Sequence, residues 1–146
     1  MMIFKEFSMK YYKDLIQIWR ESGVSVGSSD EEDQIKKVLD RNPNLFLVGI
    51  IDNKVIAVVI GAFDGRRGYV HHLAVSPKSQ NKGYGRKLME ELNERFRNLN
   101  VHKVHLFIEK YNEGVINFYK KLGWEIRDDL IMMSYVPNTD LYKREI

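Results

Sequence analysis

The sequence predicts a single mixed α/β domain, with a central mixed sheet and helices on both of its faces. Three observations support this prediction. Apolar, β-branched runs alternate with segments whose apolar residues recur at helical spacing. Two of the runs, 45–51 and 54–63, are joined by Asp52-Asn53, which is a hairpin signal. The chain has 146 residues, of which 44% are hydrophobic, and this is enough for one core.

The N-terminal part is predicted as a strand and two helices. Residues 3–7 form the first strand, and residues 9–21 carry an apolar stripe that should pack a helix on the sheet. After a glycine-containing break, Ser29 and Glu32 have the spacing of a capping box at the start of the second helix, which Asn42-Pro43 ends. The four acids at 30–33 either complement the helix dipole or attract a cationic amine such as a polyamine.

The second half is predicted as strand, loop, helix, strand, helix and two strands. Residues 69–75 form a strand that Ser76-Pro77 ends, and after a glycine-containing loop a helix carries an apolar stripe at 88, 92, 96 and 99. A strand at 101–109 and a helix at 112–122 follow, and Gly123 ends that helix. Residues 124–126 and 131–136 form the last strands, and 137–146 is a short polar tail. The domain therefore covers 1–146 in the order β-α-α-β-β-β-α-β-α-β-β.

The loop between residues 76 and 88 is predicted to hold a phosphate. A helix start leaves backbone N–H groups unpaired and carries partial positive charge. Glycines at 83 and 85 keep side chains away from this backbone, and the side chains at 82, 86 and 87 are cationic. The chain contains no G-x-x-x-x-G-K-[ST] pattern, and Leu88 stands where a dinucleotide fingerprint needs its third glycine. A nucleotide P-loop and a Rossmann site are therefore disfavoured.

Two motifs identify a family. Gln80-x-x-Gly83-x-Gly85, after Leu73-Ala74-Val75, resembles the acetyl-CoA loop of the GCN5-related N-acetyltransferase (GNAT) family. Downstream, Asn112-(x)6-Tyr119-x-x-Leu122-Gly123-Trp124 resembles the second motif of that family. The resemblance covers about residues 3–136. It implies a mostly antiparallel mixed sheet in which the strand with residues 73–75 and the strand ending near Glu109 splay apart, with the pantetheine arm in the gap.

The resemblance also implies a function and a set of cofactor-binding residues. The expected activity is an acetyl-CoA-dependent N-acetyltransferase, in which a primary amine attacks the thioester directly within a ternary complex. The alternative is a non-catalytic acyl-CoA-binding or regulatory module of the same fold. The backbone N–H of Leu73 is the expected donor to the developing oxyanion. The residues expected to bind acetyl-CoA are Leu73, Ala74, Val75, Gln80, Asn81, Lys82, Gly83, Tyr84, Gly85, Arg86, Lys87 and Asn112.

Three side chains are candidates for the proton transfers. At pH 7 about one lysine-like amine in 2,500 is neutral, so the reaction gains from a base. By resemblance, Tyr119 is the acid that protonates the thiolate, and its alternative role is a core aromatic. His71 matches a histidine of the arylalkylamine acetyltransferase branch and is a candidate base, or else a histidine satisfied within the sheet. Glu109 is the second candidate base, or a solvated strand-end carboxylate. His71 and His72 are consecutive on a strand, so they are expected on opposite faces.

Composition limits the partners. A net charge of +3 suits an anionic ligand but is too small to indicate nucleic-acid binding. The chain has no cysteine and no convincing metal-ligand spacing, so no metal is expected. No apolar run approaches the length of a membrane span, and a cytoplasmic location is expected. The acceptor is expected to be a small-molecule amine rather than a protein amine, because Phe107 stands where enzymes that acetylate protein N-termini often carry a glutamate. A homodimer through the last strands and the tail is left open.

Overall fold

A computed structural model describes residues 1–143. The described strands are β1 (Ile3–Glu6), β2 (Phe46–Ile51), β3 (Lys54–Phe63), β4 (Gly68–Val75) and β5 (Val104–Leu106). The α-helices are α1 (Tyr12–Glu21), α2 (Glu32–Arg41), α3 (Tyr84–Asn98) and α4 (Glu113–Lys121). Short 3-10 turns precede α1 and α2 and follow β4. Within 1–143, no helix has the length and apolar character needed to cross a membrane.

The strands form one sheet in the order β1-β2-β3-β4-β5. The first four strands pair antiparallel, and only β4 and β5 run parallel. The predicted mostly antiparallel mixed sheet is therefore confirmed. Asp52 and Asn53 both adopt positive φ, at 48° and 63°, as the primed turn of a two-residue hairpin requires.

The sheet has a buried cluster on each face. Alternate residues of β2 go to opposite faces, because successive side chains of a strand alternate. Leu47 packs with the apolar stripe of α3, whereas Phe46 and Val48 pack with α1 and α2. We call these the α3 face and the α1/α2 face. The predicted helices on both sides of the sheet are confirmed.

The C-terminal strands are where the prediction is wrong. The strand predicted at 101–109 is limited to Val104–Leu106, and within the described residues 124–126 and 131–136 belong to no ladder. Among residues 1–143 neither buried cluster includes a residue beyond Trp124, so the apolar side chains that follow pack on neither face of the sheet. Strand propensity measures how well a side chain fits a half-buried sheet, and without a partner surface it does not produce a strand.

The predicted capping box at the start of α2 is also wrong. The Asp30 carboxylate accepts a hydrogen bond from the Gly27 N–H at 2.9 Å, and it therefore closes the turn before α2. The helix then begins at Glu32. In the tail, the backbone of Lys143 returns to Ser28, whose hydroxyl accepts from the Lys143 N–H at 2.8 Å. The last residues of the predicted 137–146 tail, 144–146, lie outside the described part of the chain.

Asn42 provides a test of the fold. This residue is 6% exposed, and its Oδ1 accepts a 2.8 Å hydrogen bond from the Phe63 N–H at the end of β3. We expect Asn42→Ala to lower the free energy of unfolding by about 1–3 kcal/mol, because it leaves that N–H without an acceptor. The control is Asn44→Ala, since the Asn44 side chain is exposed. Equal effects of the two substitutions in urea unfolding would contradict the assignment.

Candidate active site

The pairing between β4 and β5 ends halfway along β4. Gly68, Tyr69 and Val70 pair with Val104, His105 and Leu106. Residues 71–75 of β4 continue without a register partner on that side among the described residues. A gap therefore opens at the middle of β4, as the splayed strand pair of the resemblance implies.

A bulge interrupts β4 at the same point. Val58 pairs with Ala74 and Ile60 pairs with His71, so His72 and Leu73 together oppose the single residue Val59. His72 takes a positive φ of 52°. For a residue other than glycine this conformation costs about 1–2 kcal/mol, and such strain is typical of functional sites.

The bulge places both histidines on one face, so the prediction that His71 and His72 lie on opposite faces is wrong. His71 is opposite Ile60, which belongs to the α1/α2 cluster, and opposed residues of paired strands share a face. The His72 ring contacts the Trp19 ring of α1 at 5.0 Å between centroids, in an edge-to-face arrangement. Val70 and Leu73 both pack against the α3 face. A strictly alternating strand cannot direct two residues three positions apart to the same face.

The two imidazoles are biased toward their neutral forms. His71 is half-buried, whereas His72 has an exposed side and a side packed on Trp19. Burial lowers the pKa of His71, and the nearby His72 lowers that pKa further. Burial also lowers the pKa of His72, and the negative charge of Asp30 partly opposes this shift. Both side chains therefore remain proton acceptors below the ordinary histidine pKa.

The phosphate loop has free backbone donors. The 3-10 turn Pro77–Ser79 follows β4, and α3 then begins at Tyr84. Among the described residues, none of the amides from 81 to 86 donates to a protein acceptor. Asn81 and Gly83 have positive φ, at 62° and 83°, and left-handed residues in such a turn direct successive N–H groups into an anion-binding concavity. The loop thus has the free amides that an anion site requires.

The side chains of this loop agree with that use. Gln80 donates from Nε2 to the Val75 carbonyl at 2.9 Å, which fastens the loop to the end of β4. Arg86 forms an exposed ion pair with Glu90 at 2.9 Å. For Lys82 and Lys87 no ion pair occurs within residues 1–143, so their charges face the loop and the solvent. A Cβ at Gly83 would meet nothing within 4 Å, so the required positive φ explains the glycine there.

Gly85 borders the space between α3, β4 and α4. A Cβ at this position would lie 3.4 Å from Val75, 3.6 Å from Phe118 and 3.7 Å from Leu73. These are ordinary van der Waals distances, so Gly85 lies where α3, β4 and α4 come together on the α3 face. Leu73 itself has no register partner on β3 or on β5, and its backbone lies at the gap between β4 and β5.

The second motif forms α4. The Oδ1 of Asn112 accepts from the Val115 N–H at 3.2 Å, which confirms the N-cap role, and its amide N–H groups remain for another partner. Tyr119 is 7% exposed, and its ring packs edge to face on Phe118 and Trp124. Burial raises the pKa of the Tyr119 phenol. It therefore keeps its proton at neutral pH.

Glu109 lies outside the strand in which it was predicted. β5 ends at Leu106, and Glu109 is exposed in the turn before α4, where its carbonyl accepts from the Asn112 N–H at 2.9 Å. Among residues 1–143, no group of three metal-ligating side chains is close enough to hold a metal ion.

A groove on the surface of the described residues lies away from the gap. It has a volume of about 730 Å³, is open to solvent, and lies between α1 and the loop before α2. Tyr12, Ile16 and Asp30 contribute to its lining, and none of the predicted catalytic or cofactor-binding residues does. The elements that border it are the ones expected to bind the acceptor.

The sequence model of the acetyltransferase (GNAT) family matches residues 10–124. This chain belongs to the GNAT family. An acetyltransferase of Sodalis glossinidius is 27% identical over 123 residues, which cover 84% of this chain and 87% of that protein.

Solved structures share the fold of this GNAT domain. The PaiA N-acetyltransferase of Thermoplasma acidophilum in complex with coenzyme A has a TM-score of 0.79 at 18% identity, with 88% of this chain and 92% of that chain covered. The ribosomal-protein-S18-alanine N-acetyltransferase of Escherichia coli has a TM-score of 0.76 at 19% identity, with 97% and 88% covered. An aminoglycoside acetyltransferase from an uncultured soil metagenomic sample, in complex with sisomicin, has a TM-score of 0.68 at 17% identity, with 94% and 97% covered.

Proposed function

We propose that this GNAT domain is an acetyl-CoA-dependent N-acetyltransferase that transfers an acetyl group to a primary amine by direct attack in a ternary complex. The observation that carries the proposal is the row of unpaired amides from 81 to 86, next to a strand whose pairing has ended. A cytoplasmic location is part of this proposal.

The residues present fit acetyl-CoA, which supplies an acetyl group activated as a thioester. The amides from 81 to 86 would bind the pyrophosphate, with the charges of Lys82 and Lys87 close by. The backbone of residues 73–75 and the side-chain amide of Asn112 would bind the pantetheine arm, with Gly85 in contact distance of Leu73 and Val75.

The side chains of the chain itself provide the proton transfers. A base accepts a proton from the acceptor ammonium, and His71 fits this role because its imidazole is neutral near pH 7. Glu109 is the weaker candidate, since it is exposed in the turn beyond β5. Tyr119 donates its proton to the departing thiolate and regains one from the attacking nitrogen. The N–H of Leu73 would stabilise the developing oxyanion.

The acceptor that we propose is a small-molecule amine. The aminoglycoside acetyltransferase in complex with sisomicin shows that a domain of this fold can take such an acceptor. The S18-alanine enzyme shows that a protein amine is the alternative. Phe107 supports the small molecule, because it offers no base where a glutamate often stands in enzymes for protein N-termini. The side chain of Phe107 is 59% exposed beyond β5.

Release of free thiol distinguishes the enzyme from a non-catalytic acyl-CoA-binding module. We expect acetyl-CoA-dependent thiol release with at least one of sisomicin, spermidine and a peptide with an N-terminal alanine. Binding of CoA without thiol release across these amines would favour the binding module, which has no use for the proton of Tyr119.

Gly83 tests the phosphate loop. We expect Gly83→Ala to weaken CoA binding about tenfold or more, which corresponds to about 1.4 kcal/mol, because the left-handed turn that directs the amides becomes strained. Gly65→Ala is a matched control, since Gly65 also has a positive φ, at 102°, and open space around it, but lies in the β3–β4 turn. Thermal unfolding should show similar destabilisation of both variants, and a reduced CoA-dependent shift in Gly83→Ala alone. A reduced CoA-dependent shift of the unfolding temperature in both variants would contradict the assignment of this loop to the cofactor site.

Tyr119 tests the acid. We expect Tyr119→Phe to lower kcat by about 10²–10⁴-fold with little change in the KM for acetyl-CoA, because only the proton donor is lost. Tyr111→Phe makes the same change at a side chain that is 87% exposed. Comparable losses of stability and activity in Tyr119→Phe would instead indicate a packing role.

The acid limb of the pH profile tests the base. A histidine must be neutral to accept the proton, and burial lowers the pKa of His71. We therefore expect kcat/KM for the amine to hold constant as pH falls to about 6.5, the ordinary histidine pKa, and to decrease only at lower pH. His71→Gln should abolish the acid limb of the profile. An acid limb that persists in this variant would exclude His71 as the base.

A homodimer belongs to this proposal. The described residues contain one run of exposed apolar side chains that packs on neither face: Ile126, Leu130, Ile131, Met132, Met133 and Tyr135. The outer edge of β5 has no ladder partner within 1–143. Each copy thus carries both an open β5 edge and an apolar segment with strand propensity. In a twofold dimer, the segment of each copy would pair with the β5 edge of the other, so that both the edge and the apolar side chains are covered.

Light scattering after size exclusion tests the dimer. We expect the wild-type chain to elute with the mass of two copies, and Ile131→Glu with Met133→Glu to elute with the mass of one. Lys110→Glu with Lys121→Glu, exposed positions that flank α4, is the charge control. A wild-type mass of one copy would contradict the exchange.

A further inference from the structure

The α1/α2 face carries more imidazoles than the predicted site used. His71 and His72 come to this face through the bulge, and His105 of β5 is opposite Tyr69 in the parallel pair. The Tyr69 ring lies 6.3 Å from the His71 ring and 6.0 Å from the His105 ring. Three histidines and a tyrosine therefore line the margin of the gap between β4 and β5.

The acceptor must approach the gap from this face. The loop 81–86 leads into α3, and Leu73 and Tyr119 belong to the cluster on the α3 face, so the proposed donor site lies on that face. Direct attack brings the nitrogen to the thioester from the side that the donor leaves free. That side is the α1/α2 face, so an incoming amine meets the imidazoles there.

We propose that His72 is a second proton acceptor, which takes the proton of the amine from His71 and releases it to solvent. This inference rests on the proposed acetyl transfer. His72 has an exposed side, whereas His71 lies deeper, and the ring of His72 is held edge to face on the fully buried Trp19. The N–H bond of the ammonium breaks, its proton goes to the His71 imidazole, and a proton then passes to His72 and leaves from there to solvent.

The surroundings of His72 suit a cationic acceptor. Asp30 in the turn before α2 is the acid whose charge reaches His72, and its backbone is fixed by the Tyr12 hydroxyl, which donates to the Asp30 carbonyl at 2.7 Å. From the sheet, the titratable neighbour is His71. From α1 the ring is covered by Trp19, which does not titrate. The negative charge of Asp30 favours binding of an ammonium, and a neutral imidazole favours removal of its proton.

Two substitutions distinguish the proposed role of His72 as a proton acceptor from its structural role in the bulge of β4. His72→Asn removes the imidazole but tolerates the left-handed backbone, because asparagine is enriched there. His72→Phe keeps an aromatic ring against Trp19 and cannot accept a proton. His102→Asn is the control, since His102 is exposed in the loop before β5. The assays are acetyl transfer to the three amines named above and hydrolysis of acetyl-CoA in their absence.

We expect both His72 variants to lower kcat/KM for the amine about tenfold or more at pH 7, with CoA binding and thermal stability close to the wild type. In these variants log kcat/KM should rise with pH toward the pKa of the amine, near 10.4 for a lysine-like acceptor, instead of reaching a plateau. Imidazole added to His72→Asn should restore part of the activity. The double variant with His71→Gln should lose less than the sum of the two single losses, because the pair acts on one proton.

Histidine ring NMR gives a readout that does not depend on turnover. Because the two imidazoles lie on one face, we expect the pKa of His71 to rise in His72→Asn, where a neighbouring positive charge is lost. An unchanged His71 titration would mean that the rings do not share a face. Wild-type transfer that persists undiminished in His72→Asn would overturn this inference alone. A wild-type chain that neither transfers nor hydrolyses acetyl-CoA would overturn the proposed function and this inference with it.

Discussion

The candidate site depends on the end of hydrogen bonding between β4 and β5. The two strands pair for three residues each, and β4 then continues alone. If β5 continued to pair with β4 beyond Val70, there would be no gap, and the backbone of Leu73 would be enclosed in a ladder. Because the pairing stops, backbone groups of β4 at the centre of the sheet have no hydrogen-bond partner on the β5 side, and both faces of the sheet border the gap.

In the proposed function, the two faces of the sheet bind different substrates at this gap. The acyl donor then lies on the α3 face, which carries the free amides from 81 to 86 and the buried ring of Tyr119. On the α1/α2 face, histidines carried by β4 line the same gap. An acyl donor and an amine can thus meet without sharing a binding surface, which is the arrangement that a ternary complex requires.

The sequence predicted the parts that local chemistry determines. The Asp52-Asn53 hairpin, the apolar stripes of α1 and α3, the glycine that ends α4 and the Asn112 cap all have signals within a few residues, and the structure contains each of them. The loop from 81 to 86 also has a local signal, because its glycines and cations are close together in the sequence, and its binding of a phosphate stays a prediction. These features depend on backbone conformation and on helix termini, and both are set by neighbouring residues.

The predictions from sequence were wrong where the local structure depends on pairing with residues that are distant in the sequence. Residues 124–136 have the composition of strands, but a strand forms only against another strand, and within the described residues no edge accepts them. The positions of His71 and His72 depended on a bulge opposite Val59, which alternation alone excludes. One signal was present: Val70 and Leu73 are both apolar and three residues apart, a spacing that a regular strand directs to opposite faces.

The central claim is that the amides from 81 to 86 bind the diphosphate of coenzyme A, and amide NMR tests it directly. The measurement is a titration of ¹⁵N-labelled protein with CoA, with inorganic diphosphate as a second ligand. The account predicts that the largest shifts with both ligands fall on residues 81–86, and that CoA alone also shifts residues 73–75 and Asn112. Shifts confined to other parts of the chain, or none at saturating CoA, would contradict it.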